Sequence, residues 1–143
     1  MAGENQDYPY AKELFQEMVD KELQPNKVTY NSMIEVLLFS SEVKEAKELF
    51  QKHCSFQWKN GALDCHELSR GAAAIQVSVY IDKNEPPVLR VITGKGLHSH
   101  RHPLGEMRTF TQGFVKDHHP NYQVEVDEGN EGCLVLRRKK DSE

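Results

Sequence analysis

Ala11-Lys12-Glu13-Leu14-Phe15-Gln16 returns letter for letter as Ala46-Lys47-Glu48-Leu49-Phe50-Gln51, an offset of 35 residues. A period in the thirties made of helical segments predicts stacked helical hairpins, each burying its apolar face only against its neighbours. The apolar spacing agrees. Ala11, Leu14, Phe15 and Met18 fall at i, i+3, i+4 and i+7, and Val43, Ala46, Leu49 and Phe50 repeat that stripe, so both segments are expected as amphipathic helices. Between them Tyr30, Ile34, Leu37 and Leu38 make a third helix, entered through Pro25-Asn26 with Asn26 as its expected N-cap. Ser40-Ser41 breaks that helix, and Ser41 with Glu42 is expected to start the next.

From Ala62 onward the period changes. Leu63-Asp64-Cys65-His66 is short and mixed, and Ser69 to Ile81 is Ala-rich, with Ala72, Ile75 and Val79 on one face. Val88-Leu89-Arg90-Val91-Ile92 reads as a strand, followed by Thr93-Gly94-Lys95-Gly96 and a His-rich loop. A helix is then expected from about Pro103 to His118, with Leu104, Met107, Phe110, Phe114 and Val115 inward. Tyr122 to Val126 alternates, Cys133 to Leu136 is apolar, and Glu128-Gly129-Asn130-Glu131-Gly132 between them reads as a hairpin turn. The order βαβαββ predicts a two-layer α/β sandwich, so the fold class expected for the whole chain is α+β. The expected organisation is a disordered start at 1–7, helical repeats at 8–61, the sandwich at 62–138 and a solvated tail at 139–143.

The chain has 143 residues, with 18 Lys plus Arg against 22 Asp plus Glu and a formal charge of −4. No strong basic field or acidic run decides the partner, and six of the seven histidines lie beyond Gly61, a reserve of positive charge near phosphates. The apolar stretches Val36–Phe39 and Ala72–Ile75 are far too short to span a bilayer. Met1–Asp7 lacks the basic start and apolar run of a secretory signal, and the three cysteines, Cys54, Cys65 and Cys133, are odd in number with no CxxC spacing. A disulfide framework and a zinc ribbon are therefore disfavoured. An intracellular, reducing compartment is expected, whether cytoplasm, nucleus or organelle.

Two places carry chemistry. Asp64 and His66 are two apart, so on a strand both project from one face, as a general base with its orienting carboxylate or as a surface hydrogen-bonded pair. Cys65 between them points the other way and is expected to pack inward rather than act as a nucleophile. Thr93-Gly94-Lys95-Gly96 follows a strand and leads to a helix, where its glycines can turn backbone N–H groups toward an anion and Lys95 adds charge; otherwise it is a tight turn. It fits neither a Walker A loop nor a dinucleotide fingerprint. In His98-Ser99-His100-Arg101-His102, phosphate contact by Arg101 with a histidine is weighed above a metal site, because no closing Cys or carboxylate ligand accompanies the imidazoles. His118-His119 is expected to complement a helix dipole, and Trp58 to pack between the two parts of the chain.

Pro25-Asn26-Lys27-Val28-Thr29-Tyr30-Asn31-Ser32-Met33-Ile34, followed by Val43-Lys44-Glu45-Ala46-Lys47-Glu48-Leu49-Phe50, resembles a pentatricopeptide (PPR) repeat, over residues 8 to about 60. The resemblance implies a superhelix that binds single-stranded RNA, with Asn31 at the first base-reading position and Asn26 and Gly61 at the second. Leu63-Asp64-Cys65-His66, Thr93-Gly94-Lys95-Gly96 with Leu97-His98-Ser99, and Gly132-Cys133-Leu134-Val135-Leu136 resemble the Smr (small MutS-related) domain, whose signatures are LDxH, TGxG and an apolar terminal strand. That likeness spans about 62–138 and implies nucleic-acid binding with RNA endonuclease activity. The implied catalytic residues are Asp64, His66 and Lys95. The implied nucleic-acid contacts are Thr93, Gly94, Lys95, Gly96, His98, Arg101 and, in the repeats, Asn31. No firm cofactor follows, Mg²⁺ or Mn²⁺ being the cations a nuclease would use, and no structural metal is expected. The expected partner is single-stranded or structured RNA, alone or in a ribonucleoprotein particle. The rival reading is a non-catalytic docking module using the same surface.

Overall fold

The computed structural model describes residues 27–93, 106–127 and 130–139, with isolated positions between 13 and 21. Of the expected first helix, Glu13, Gln16, Glu17 and Asp20 are helical; its apolar stripe lies outside the described residues. Four helices and a five-stranded mixed sheet make up an α+β chain among the described residues. The chain divides into two compact units, 1–55 and 56–143.

In the first unit α1 (Lys27–Phe39) and α2 (Val43–His53) pack as a helical hairpin. Met33, Ile34, Leu37 and Leu38 from α1 meet burial needs shared with Ala46 and Phe50 of α2, and the Tyr30 ring stacks on His53 with centroids 4.5 Å apart. The corner differs from expectation. Ser41 does not start α2; it closes α1 in the left-handed region at φ 66°. Its N–H donates to Leu38 O at 3.1 Å and that of Glu42 to Leu37 O at 2.8 Å, the paired bonds of a Schellman ending. The two serines thus satisfy the last carbonyls of one helix, and Glu42 caps the next without a side-chain bond.

The second unit runs β1 (Trp58–Lys59), β2 (Ala62–Asp64), α3 (Arg70–Asn84), β3 (Val88–Ile92), α4 (Glu106–His118), β4 (Tyr122–Asp127) and β5 (Asn130–Arg138). From β2 onward this is the expected βαβαββ order. The addition is β1, which pairs antiparallel with β2 and places the unit's start before Gly61. Asn60 (φ 52°) and Gly61 (φ 80°) form the two-residue turn between them, and the positive φ at both positions is what an Asn-Gly pair supplies at little steric cost. Gly61 is therefore a hairpin residue rather than the end of a helical repeat.

The sheet order is β1-β2-β3-β5-β4, with β2 and β3 parallel and the remaining pairs antiparallel. Leu63, Leu89, Val91, Leu134 and Leu136 point to one face, where Ala73, Val77 and Ile81 of α3 and Val115 of α4 complete the core. The stripe of α3 in this cluster lies one to two positions beyond the expected Ala72, Ile75 and Val79, which are buried as well. Because α3 is buried almost all round, its apolar periodicity does not reveal which side meets the sheet. Ser69 caps α3 by accepting from Ala72 N–H at 3.2 Å, and Glu85 ends it at φ 43°.

Candidate functional site

The parallel pairing of β2 with β3 creates the site. Leu63 lies opposite Val91 and Asp64 opposite Ile92, and Cys65 N–H donates to Ile92 O at 2.8 Å. The C-terminal ends of the two strands therefore finish side by side, the place where open sheets with parallel strands gather ligands. Asp64 is the last residue of β2 and Ile92 the last of β3, with Thr93 directly after it.

His66 turns back onto Asp64. Its Nδ1 stands 2.6 Å from Asp64 Oδ1, and its backbone N–H donates to the same oxygen at 3.1 Å. Burial pushes the Asp64 carboxyl up, but the hydrogen bonds from the His66 side chain and backbone, with the charges of His66 and Lys59, outweigh it and hold the group below its ordinary value of 3.8. An ionised carboxylate only accepts, so Nδ1 carries the proton, and in the neutral ring Nε2 carries the lone pair. Asp64 is only 16% exposed while His66 is 42% exposed, so the orienting group is sheltered and the imidazole reaches solvent. Glu67 Oε2 lies 3.6 Å from Nε2 on a largely exposed side chain, beyond hydrogen-bond length.

Behind the pair sits a residue that the sequence reading missed. Gln76 is fully buried in α3; its Nε2 donates to Asp64 O at 3.2 Å and to Cys65 Sγ at 3.1 Å, while its Oε1 accepts from Gln57 N–H at 3.0 Å. One amide thereby ties the end of β2 to the segment entering β1. The signal was present as a lone amide in an otherwise small and apolar run, Gly71 to Val77. Cys65 packs inward as expected, and burial pushes its thiol up to about 12, which leaves it in the unreactive form.

Thr93 is buried. Its N–H and hydroxyl both donate to Gly132 O, at 2.7 and 3.3 Å, so Thr93 is tied to β5 just beyond the end of β3. Gly94, Lys95, Gly96, His98 and Arg101 lie outside the described residues. Asn31 is half-buried on α1 in the first unit. His119 departs from expectation. It is buried, and its Nε2 meets Ser78 Oγ at 2.7 Å, so it bridges the end of α4 to α3 instead of serving as a solvent-facing complement to the helix dipole. His118 stays exposed and stacks on Phe114. Trp58, 48% exposed, sets its ring edge-on to Tyr80 within the second unit. Among the described residues no group of three or more His, Cys, Asp or Glu side chains is placed to hold a metal ion. None of the described helices is long and apolar enough to cross a membrane.

Residues 28–52 match the PPR repeat family. That segment is α1 with nearly all of α2, so the helical hairpin is the part of the chain that the family accounts for. No curated protein and no solved structure matches the chain.

Proposed function

We propose that this chain binds single-stranded RNA and cleaves it at the Asp64–His66 pair of its second unit, which resembles an Smr domain. The PPR repeat at 28–52 supports the RNA partner. The nuclease reading is carried by the 2.6 Å contact between an ionised Asp64 and the Nδ1 of a solvent-reaching His66.

The chemistry follows from that orientation. Nε2 takes the proton of a ribose 2′-hydroxyl, the 2′-oxygen bonds to the adjacent phosphorus, and the bond to the 5′-oxygen breaks, the leaving oxygen taking its proton from water. Asp64 fixes the tautomer and offsets the charge that develops on the ring, the arrangement by which a carboxylate assists an imidazole base. Lys95 and the amides of Gly94 and Gly96 would steady the phosphate, with His98 and Arg101 as further contacts. Mg²⁺ or Mn²⁺ is the cation class that an RNA nuclease admits; the described residues do not compose a site for one, and no step here passes through it.

The second reading is a docking module for structured RNA or a ribonucleoprotein particle. Thr93 fits it, since its hydroxyl donates to Gly132 O and so has a structural part in holding the end of β3 to β5.

Cleavage of a labelled single-stranded RNA distinguishes the two. Asp64→Asn keeps size and hydrogen bonding but removes the charge, so the cleavage rate should fall on the order of 10²-fold while affinity changes little. A deoxyribose at the scissile position should block the reaction. Protein that binds RNA yet leaves it intact, with Mg²⁺, with Mn²⁺ and with chelator, would remove the nuclease reading and leave docking.

A further inference from the structure

The β1–β2 hairpin sets a lysine on the same face of the sheet as Asp64. Trp58 lies opposite Leu63 and Lys59 opposite Ala62, and Asp64 N–H donates to Gln57 O at 2.7 Å, so the register holds to the end of β2. Side chains alternate along a strand, and Leu63 points into the core. Lys59, Ala62 and Asp64 therefore share the opposite face, with Lys59 diagonal to Asp64. Diagonal neighbours on an antiparallel pair are roughly 7–8 Å apart, within reach of a long side chain. The two-residue Asn60-Gly61 turn, with positive φ at both positions, fixes this register. Lys59 is exposed, and the ion partner of Asp64 is His66. The lysine's charge reaches Asp64 and helps to hold it ionised. Among the described residues no ion pair engages the ammonium, whose three donors remain for a ligand.

We infer that Lys59 is a phosphate-binding residue of the RNA site, holding a backbone phosphate next to the sugar that His66 engages. The inference rests on the RNA-binding reading of the Asp64–His66 pair and adds β1 to that site. A phosphodiester that reaches His66 comes close to the Asp64 carboxylate, and a cation on the same face supplies the attraction that draws it in. An ammonium on a four-carbon stem acts as a point charge that follows a phosphate without imposing a plane. Charge alone is then the requirement, and arginine can replace lysine. Since β1 is the edge of the sheet, a strand held there runs from the ends of β2 and β3 out across the hairpin.

The test is equilibrium binding of a fluorescent single-stranded RNA oligonucleotide to the full chain over a range of KCl concentrations. Lys59→Ala should weaken affinity on the order of fivefold and flatten the slope of log K against log salt by about 0.7, the signature of one lost phosphate contact on a single strand. Lys59→Arg should keep both. Lys83 is the control: it is exposed in the last turn of α3, roughly 20 Å along the helix from its first residue, so Lys83→Ala should leave the slope unchanged. A Lys59→Ala protein that is folded by circular dichroism and binds with the wild-type affinity and slope would overturn the inference, even if the pH profile of cleavage moved, because Lys59 would then act on Asp64 alone. Equal flattening by Lys83→Ala would overturn it too, as an effect of net charge. Wild-type protein that does not bind RNA would instead remove the reading on which the inference rests.

Discussion

The helical hairpin and the sheet unit bury their apolar residues by different means. In α1 and α2 the buried positions Met33, Ile34, Leu37, Leu38, Ala46 and Phe50 all come from one short stretch of chain. In the second unit β3 pairs with β2 on one side and with β5 on the other, so residues near 63, 91 and 134 close a single core. A hairpin of a repeat array draws its stability from neighbouring repeats, whereas the sheet unit has a core of its own. Only the second can hold a carboxylate and an imidazole in fixed geometry by itself. Cutting the chain between Ser55 and Phe56 puts this difference to its strongest test. Residues 56–143 should give a cooperative thermal transition, and residues 1–55 should lose most of their helical circular dichroism, because short isolated helices are marginal in water. A cooperatively melting 1–55 fragment would erase the distinction.

The comparison sharpens at Gln76. In the hairpin the buried side chains are mainly apolar, but here one amide serves Asp64 O, Cys65 Sγ and Gln57 N–H together. Gln76→Leu keeps much of the volume and strands a backbone donor and acceptor, so unfolding free energy should drop by about 3 kcal/mol. Urea melts measure it. Cleavage should fall as well, and a variant that loses neither stability nor rate would show that Gln76 does not set the end of β2.

What the sequence revealed follows the same division. The stripes of α1 and α2 and the order βαβαββ were legible because burial imposes a period on neighbouring residues. Asp64 and His66 were legible as a pair from spacing alone. The strand β1 was missed although Asn60-Gly61 is a strong hairpin signal, since Trp58-Lys59 is too short to show alternation. Gln76 and His119 were hidden for a different reason. Their partners, Gln57 and Ser78, lie 19 and 41 residues away in the chain, and no local pattern reports a hydrogen bond across that separation.

His119 offers a smaller effect of the same kind. The His119→Ala change leaves the fully buried Ser78 hydroxyl without its 2.7 Å partner, at a cost of about 2 kcal/mol. Adding Ser78→Ala removes the stranded hydroxyl, so the double variant should recover part of that loss. A double-mutant cycle on denaturant midpoints reads the coupling. If the two losses simply add, the Ser78–His119 bond contributes nothing to holding the end of α4 against α3.

Asn31 should show the least effect. It lies half-buried on α1, within the segment that matches the PPR repeat, at the position where that family's first base-reading residue is expected. A single base contact on one hairpin has no neighbouring contacts to fix the register of the strand, so its loss should hardly register in affinity. Alanine is also the better helix former, by roughly 0.5 kcal/mol, so Asn31→Ala should leave the melting temperature unchanged or slightly raised. Binding to oligonucleotides that differ at one base is the measurement. Equal affinities across that set, before and after the change, place the discriminating chemistry outside the hairpin. A preference present in the wild type and abolished by Asn31→Ala would mean that one hairpin reads a base unaided, and the contrast between the two units would then hold for folding but not for recognition.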